Sequence, residues 1–219
     1  MNSISQYLLE TQRSLAQISE KSIADVVSRL YEAWKQRKQV FILGNGGSAS
    51  TASHMANDLA KATIVPGNPR VKAIALTDNI SIITAWANDS SFESIFREQL
   101  ENLLQPGDLV IGISASGNSP NVLRAMEFSK QQGAVTIGWT GRSGGALGNV
   151  VDLCVHCPTD DIGMIESLHL VLDHLVTREL HRCIQAGSMA WIGRRDDVAD
   201  EAKGNGRRQA VPLAAGQSA

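Results

Sequence analysis

Residues 40–50 read VFILGNGGSAS, and this stretch is the clearest indication of the fold in the sequence. The apolar run 40–43 is typical of a short buried strand, and the glycine-rich loop 44–48 follows it directly. A helical run, Ala49 to Lys61, comes next. A strand, a glycine-rich turn and a helix in this order are typical of open α/β sheets, whose ligands bind beyond the carboxyl ends of the strands. The loop is therefore a candidate ligand site, and a tight turn without a ligand is the alternative.

The rest of the chain repeats this alternation of β-rich and helical runs. The pattern predicts a parallel sheet that is covered by helices. The predicted strands are Val40 to Leu43, Val71 to Leu76, Leu109 to Ile113, Ala134 to Trp139 and Val151 to Val155. The predicted helices at the two ends of this region are Ile4 to Ile18, Ser22 to Lys35 and, last, Ile162 to Ile184.

Composition limits the classes of function. With 219 residues, 43% of them hydrophobic, the chain has material for one well-buried core. We expect one domain over residues 1–187 and a disordered tail over 188–219, where periodicity is lost. The net charge of −2 leaves no basic field for nucleic acid, and no signal peptide or long apolar run is present. We expect a cytoplasmic protein that binds neither nucleic acid nor membrane.

A second loop of the same kind follows the third predicted strand. Residues 114–119 read SASGNS, and Pro120 then stands at a favourable first helical position. The three serine hydroxyls are neutral donors for a phosphate group, whose charge a helix dipole stabilises. In the first loop, Ser48 is expected to cap the helix and to contact the same anion. Neither loop contains a basic residue or a P-loop motif, which favours a small sugar monophosphate over a nucleotide.

Polar side chains on two predicted helices supply further chemistry. His54 and Asp58 are four residues apart, so they share one helix face. Glu166 and His174 are eight residues apart, about two turns along one side of the last helix. All four side chains are competent ligands for a first-row metal. For any single histidine, a hydrogen-bonded structural role is the alternative, and we favour it for His169, which lies on another face of the last helix.

The cysteines offer a weaker signal. Cys154 and Cys157 form a C-x-x-C pair inside the apolar stretch Val150 to Cys157. On a strand, the two side chains point to opposite faces, which favours core packing over the redox or zinc alternative.

Taken in order, five motifs resemble the phosphoheptose isomerase branch of the SIS family. They are GNGGSAS at 44–50, HMAND at 54–58, Asn88–Asp89, SASGNS at 114–119 and IESLHLVLDH at 165–174. The resemblance covers about residues 1–187. It implies a flavodoxin-like, doubly wound five-stranded parallel sheet, the SIS fold, with two N-terminal helices. It also implies a homotetramer with active sites between subunits, and isomerisation of sedoheptulose 7-phosphate to D-glycero-D-manno-heptose 7-phosphate for heptose biosynthesis.

The resemblance also implies a set of site residues. Ser48 of the first loop is added to this set. The predicted substrate site then consists of Asn45, Gly46, Gly47, Ser48, Asp58, Asn88, Asp89, Ser114, Ala115, Ser116, Ser119 and Glu166. Ala115 replaces the middle threonine of the family's S-T-S. The family's zinc ligands, of type His, Glu, Gln and His, fall on His54, Asp58, Glu166 and His174 and imply one divalent ion, a zinc, per site.

Catalytic roles follow from the same resemblance. Isomerisation through an enediol needs one group that moves a proton between adjacent carbons and another that protonates and deprotonates the oxygens. The resemblance assigns the first role to Asp58 and the second to His174. Because aspartate is shorter than glutamate, isomerisation of another ketose phosphate is an alternative. A non-catalytic SIS module that regulates a partner, such as the replication initiator, is a second alternative.

Overall fold

The structure, a computed structural model, describes residues 2–190. Its helices are α1 (Ser3–Ala16), α2 (Glu20–Lys35), α3 (Gly47–Lys61), α4 (Ile80–Asp89), α5 (Ile95–Leu103), α6 (Pro120–Gln131), α7 (Leu147–Val150) and α8 (Ile162–Ala186). Its strands are β1 (Gln39–Gly44), β2 (Lys72–Ala75), β3 (Leu109–Ser114), β4 (Val135–Gly141) and β5 (Leu153–Cys157). No helix within residues 2–190 is long and apolar enough to cross a membrane.

The strands of the described chain form one parallel sheet in the order β2-β1-β3-β4-β5. This is the flavodoxin-like order, and its topological switch point lies between β1 and β3. The register pairs Gly44 with Ile113, so these two strands end side by side. The predicted five-stranded parallel sheet is confirmed, and both loops predicted to bind an anion leave the sheet at the switch point.

Helices cover both faces because the strands are apolar on both sides. Val40 and Ile42 point into a core with α2, α3 and α8, whereas Phe41 and Leu43 point into a core with α5 and α6. All four side chains are almost fully buried. Full burial of such a side chain contributes roughly 1.5–3 kcal/mol, which explains why these runs are continuously apolar rather than alternating.

Most element boundaries differ from the sequence-based predictions by one or two residues, and two of these differences have a clear structural reason. Strand β5 begins at Leu153 rather than Val151, because α7 ends at Val150 and Val151 is its C-cap residue. Helix α8 continues to Ala186 and ends at Gly187, whose φ of 64° is the left-handed conformation that glycine adopts at helix ends. The predicted tail lies outside the described residues from position 191 onward.

Strand β5 contains both cysteines of the C-x-x-C pair. Cys157 is buried in the core on the α8 side of the sheet, and Cys154 packs against the opposite core. Burial raises the pKa of the Cys157 thiol to about 12, so it stays protonated and unreactive at neutral pH. The prediction that the pair packs on opposite faces of a strand is confirmed.

Candidate functional site

The glycine-rich loop turns the chain from β1 into α3. Gly46, with φ of 56°, is the N-cap residue of α3, a conformation that glycine adopts without a steric penalty. Ser48 lies inside the first turn of the helix, is 5% exposed, and makes no capping hydrogen bond. The prediction that Ser48 caps the helix was therefore wrong, because the helix begins earlier, at Gly47. The amides that begin a helix lie at its positive end, a position that favours an anion.

The serine loop gathers its hydroxyl groups at the start of α6. Ser114 Oγ lies 3.1 Å from Ser119 Oγ and 3.5 Å from Ser116 Oγ. The amide of Asn118 donates to Ser116 Oγ at 3.2 Å. Pro120 occupies the first helical position, as the sequence predicted. The three hydroxyls therefore form one polar cluster at the positive end of a helix.

A pair of asparagines joins the two loops. Asn45 Nδ2 donates to Asn121 Oδ1 at 2.8 Å, and Asn121 Nδ2 donates to Asn45 Oδ1 at 2.9 Å. Asn121 is only 2% exposed, so this double hydrogen bond is shielded from water. The pair holds the loops in one relative position. Sequence reasoning missed Asn121, whose only signal was its place in the first turn after Pro120.

The loop after β4 supports the serine loop from behind. The amide of Gly141 donates to the Ala115 carbonyl at 3.1 Å, and the amide of Leu147 donates to the Gly117 carbonyl at 2.9 Å. The backbones approach so closely that a β-carbon at Gly117 would lie 2.1 Å from the Gly144 carbonyl oxygen. Glycine is thus required at position 117, where φ is also 66°.

A cluster of imidazoles and carboxylates lies further along α3 and α8. His54 Nε2 is 3.0 Å from His174 Nε2 and 3.4 Å from Asp58 Oδ2, and His174 Nε2 is 3.9 Å from Asp58 Oδ2. A fourth residue, Asp173, brings a carboxylate oxygen into the same group, with all four atoms within 4.8 Å of one another. The structure thus brings together three of the four predicted metal ligands.

The cluster fits a divalent ion. Two ligands of a tetrahedral zinc, each about 2.0–2.1 Å from the metal, lie about 3.3 Å apart. The separations among His54, Asp58 and His174 are close to this value. Imidazole nitrogen and carboxylate oxygen are also donor types that zinc accepts in proteins.

Asp173 forms the buried side of this cluster. Its side chain is fully buried, Thr177 Oγ1 donates to Oδ1 at 3.4 Å, and Oδ2 has no hydrogen-bond partner among the described residues. Burial raises the pKa of this carboxyl to about 7, and the nearby charge of Asp58 adds to the effect. Sequence reasoning missed Asp173, because successive residues on a helix do not share a face.

Glu166 occupies a different place from the other predicted ligands. Its carboxylate lies against the glycine loop, where a β-carbon at Gly47 would be 2.2 Å from Glu166 Oε1. Along α8, His174 lies eight positions after Glu166, which corresponds to about 12 Å. Because Glu166 meets Gly47 and His174 meets His54, α3 and α8 run side by side in the same direction.

The remaining predicted substrate residues, Asn88 and Asp89, end helix α4. Asn88 Nδ2 donates to Asp89 Oδ1 at 2.7 Å, and no hydrogen bond joins either side chain to the two loops within residues 2–190. Helix α4 has no buried residue in the described part of the chain. The fold of one chain therefore does not bond this pair to the rest of the site.

His169 lies outside the site. It is fully buried beside Trp139, and its Nε2 is 3.3 Å from the Thr140 carbonyl oxygen. Burial lowers the pKa of His169 to about 4, so the ring is neutral near pH 7 and donates to that carbonyl. The predicted structural role agrees with this placement.

Known proteins resemble this chain in sequence and in fold. The SIS domain family matches residues 6–141. The chain is 42% identical over 154 residues to the phosphoheptose isomerase of Trichlorobacter lovleyi, covering 70% of this chain and 78% of that protein. It is 37% identical over 177 residues to lincomycin biosynthesis protein LmbN of Streptomyces lincolnensis, covering 76% of this chain and 64% of that protein. A phosphoheptose isomerase structure from Francisella tularensis superimposes with a TM-score of 0.77 at 29% identity, over 83% of this chain and 100% of that one. The chain therefore belongs to the SIS-domain family, in its phosphoheptose isomerase branch.

Proposed function

We propose that this chain is a sugar-phosphate isomerase that converts sedoheptulose 7-phosphate to D-glycero-D-manno-heptose 7-phosphate, a step in heptose biosynthesis. The observation that carries the proposal is that two loops suited to an anion lie on the same side of the sheet as a cluster of imidazoles and carboxylates on the adjacent helices α3 and α8. The relatives named phosphoheptose isomerase support it.

The distance between the two parts of the site suits such a substrate. Gly47, at the glycine loop, and His54, in the cluster, are seven residues apart on α3, or about 10 Å along the helix axis. An extended seven-carbon sugar phosphate is comparable in length. The phosphate would bind the hydroxyls of the serine loop, and the carbons that react would lie near the cluster.

Proton transfer at those carbons is assigned to two residues of the cluster. Asp58 removes a proton from C1 of the ketose while His174 donates a proton to the carbonyl oxygen on C2, which gives an enediol. Asp58 then returns its proton to C2 and His174 takes the proton from the oxygen on C1, which gives the aldose. The two residues end as they began, as a catalyst requires.

The proposal includes one zinc ion per site, held by His54, Asp58 and His174. When bound, such an ion would act as a Lewis acid that polarises the substrate's carbonyl group. Glu166, the other predicted ligand, is proposed to contact substrate hydroxyls beside Gly47 instead, because its carboxylate lies at the glycine loop.

We also propose a homotetramer with active sites between subunits. Helix α1 supports this, because Ile4, Leu8 and Leu15 share one face and are 70%, 64% and 42% exposed. A neighbouring subunit would cover that stripe and would bring further residues, such as Asn88 and Asp89, toward a site. Residues 1–187 would form the SIS domain and 188–219 a tail, in a cytoplasmic protein whose three free thiols suit a reducing compartment.

A second candidate is isomerisation of another ketose phosphate in a specialised pathway. Two observations favour it: the shorter carboxylate of Asp58, and the similarity to a relative named for lincomycin biosynthesis. A misplacement of about 1 Å at the reacting carbons can cost roughly a hundredfold in rate, so the carboxylate length bears on substrate choice.

The test is incubation of the purified protein with sedoheptulose 7-phosphate, fructose 6-phosphate and ribulose 5-phosphate in turn, followed by chromatography of the products. The proposal is supported if sedoheptulose 7-phosphate is converted faster than the other two substrates. Faster conversion of another ketose phosphate favours the second candidate. If none is converted, with zinc present and absent, the non-catalytic regulatory module becomes the better explanation.

A further inference from the structure

The cluster on α3 and α8 is open on one side only. The side chains of His54 and His174 are 42% and 55% exposed, and that of Asp58 is 20% exposed. These three donors therefore surround a position that solvent and substrate can reach. Three protein ligands with an open position are typical of a catalytic zinc, but a fourth donor atom is present on the closed side.

That fourth donor is a carboxylate oxygen of Asp173. Its side chain is fully buried, and Oδ2 has no partner among residues 2–190. A buried carboxylate oxygen without a partner is costly, and such groups in folded proteins are normally satisfied by a hydrogen bond or an ion. One oxygen of this buried carboxylate belongs to the same group of donor atoms as the two imidazoles and Asp58, all within 4.8 Å of one another.

Glu166 of the same chain does not compete for this position. Its carboxylate is against Gly47, about two helical turns from His174. The pattern implied by the family would place a metal ligand at Glu166. In this chain the donor beside the two histidines is at Asp173 instead.

We infer that Asp173 is the fourth protein ligand of the divalent cation, so that two histidines and two aspartates hold the ion. The inference rests on the cation site proposed above and names a ligand of it. Two carboxylates and two neutral imidazoles balance the charge of a divalent ion, and Asp173 binds it from the buried side. The exposed side stays available to substrate, and Glu166 stays free at the glycine loop.

The experiment titrates zinc into metal-free, full-length protein by isothermal calorimetry. Asp173→Asn keeps the shape of the side chain and removes its charge, and Glu166→Ala is the matched control on the same helix. We expect zinc affinity to fall at least about tenfold in Asp173→Asn, the lower end of what loss of an outer-shell partner costs. Glu166→Ala should bind zinc as the parent does. Equal affinity in Asp173→Asn and parent, or an equal loss in Glu166→Ala, would overturn the assignment.

Thermal unfolding of the same metal-free proteins separates a ligand from a purely structural residue. A ligand role predicts that added zinc raises the melting temperature of Asp173→Asn less than that of the parent. A lower melting temperature with an unchanged zinc shift would contradict it.

A measurement on the unaltered protein covers the case in which the variant does not fold. In crystals of the parent grown with zinc, a carboxylate oxygen of Asp173 should lie about 2.0–2.2 Å from the ion. A zinc bound without Asp173 refutes the inference alone. A parent that binds no divalent cation refutes the cation site as well, whereas the isomerase assay tests the proposed function separately.

Discussion

Asp58 and His174 face each other across two helices, at 3.9 Å between Oδ2 and Nε2, and the proposed proton transfers depend on both. We expect Asp58→Asn and His174→Ala to lower kcat by roughly 10²–10⁴-fold, the usual contribution of a general acid or base. KM should change little, because the loops hold the far end of the substrate. Steady-state kinetics on the preferred ketose phosphate provide the measurement.

Metal content must be measured in the same variants, because both positions are proposed ligands. A rate that returns on addition of excess zinc would make the ion, and not the side chains, the essential catalyst. Asp58→Glu is the informative companion. Higher activity of this variant on sedoheptulose 7-phosphate would show that the shorter carboxylate is suited to another substrate.

His169 gives the protein a predictable pH response. Its pKa is lowered to about 4 in the folded protein, against about 6.5 in an unfolded chain. Between these values the unfolded state binds more protons, so His169 costs stability as pH falls from about 6.5 to 4, by up to about 1.4 kcal/mol per pH unit. Urea unfolding at pH 8, 6 and 5 should show a smaller acid loss in His169→Gln than in the parent.

Comparison of the two proteins isolates the histidine. The raised pKa of Asp173 acts in the opposite direction over a similar range, but it is common to both and largely cancels in the difference. Parallel stability curves for parent and variant would show that His169 is protonated as readily in the folded state as in the unfolded one.

At the scale of elements, the serine loop is expected to hold the phosphate. Replacing Ser116 and Ser119 together with alanine removes two of the three hydroxyls in the cluster at the start of α6. We expect weaker binding of the sugar phosphate and an unchanged circular dichroism spectrum. Calorimetry with the ligand measures the affinity, and an unchanged affinity would mean that the phosphate binds elsewhere.

The close contact between Gly117 of the serine loop and the loop after β4 allows a second test. Gly117→Ala would put a side chain on a residue whose φ is 66° and would create a clash at 2.1 Å with the Gly144 carbonyl oxygen. Gly67 is the matched control, since its φ is 83° and a β-carbon there meets no atom within 4 Å. Gly67→Ala should cost about 1 kcal/mol from backbone strain alone, whereas Gly117→Ala should cost more and weaken ligand binding.

Chemical denaturation and ligand titration of both variants decide the point. If Gly117→Ala is no less stable than Gly67→Ala, the loop after β4 moves aside readily and does not support the serine loop.

For the whole molecule, the exposed apolar stripe of α1 predicts assembly. A charge at Leu8, as in Leu8→Asp, should shift the protein from tetramers to smaller species in light scattering at micromolar concentration. On an isolated surface such a change would alter stability by only about 0.5 kcal/mol, so a change in mass identifies an interface. Gln6→Asp, on the opposite side of α1, is the control and should leave the mass unchanged. A fully active monomer in the parent would remove the proposal.

Local patterns in the sequence predicted most of the fold and part of the site. Apolar runs, glycines and helical spacing are properties of neighbouring residues, so they predicted the parallel sheet, the two loops and the shared face of His54 and Asp58. Ser48 was misassigned because helix starts vary by a residue or two, and Gly46 takes the cap.

Tertiary structure decided which distant residues meet. Three contacts depend on how the loops and helices α3 and α8 pack together. They are the hydrogen bonds between Asn45 and Asn121, the contact of Glu166 with Gly47, and the position of Asp173 in the cluster. Spacing along a single helix contains no information about the direction of its neighbour. Because α3 and α8 run side by side in the same direction, Glu166 reaches the glycine loop and Asp173 reaches the histidines.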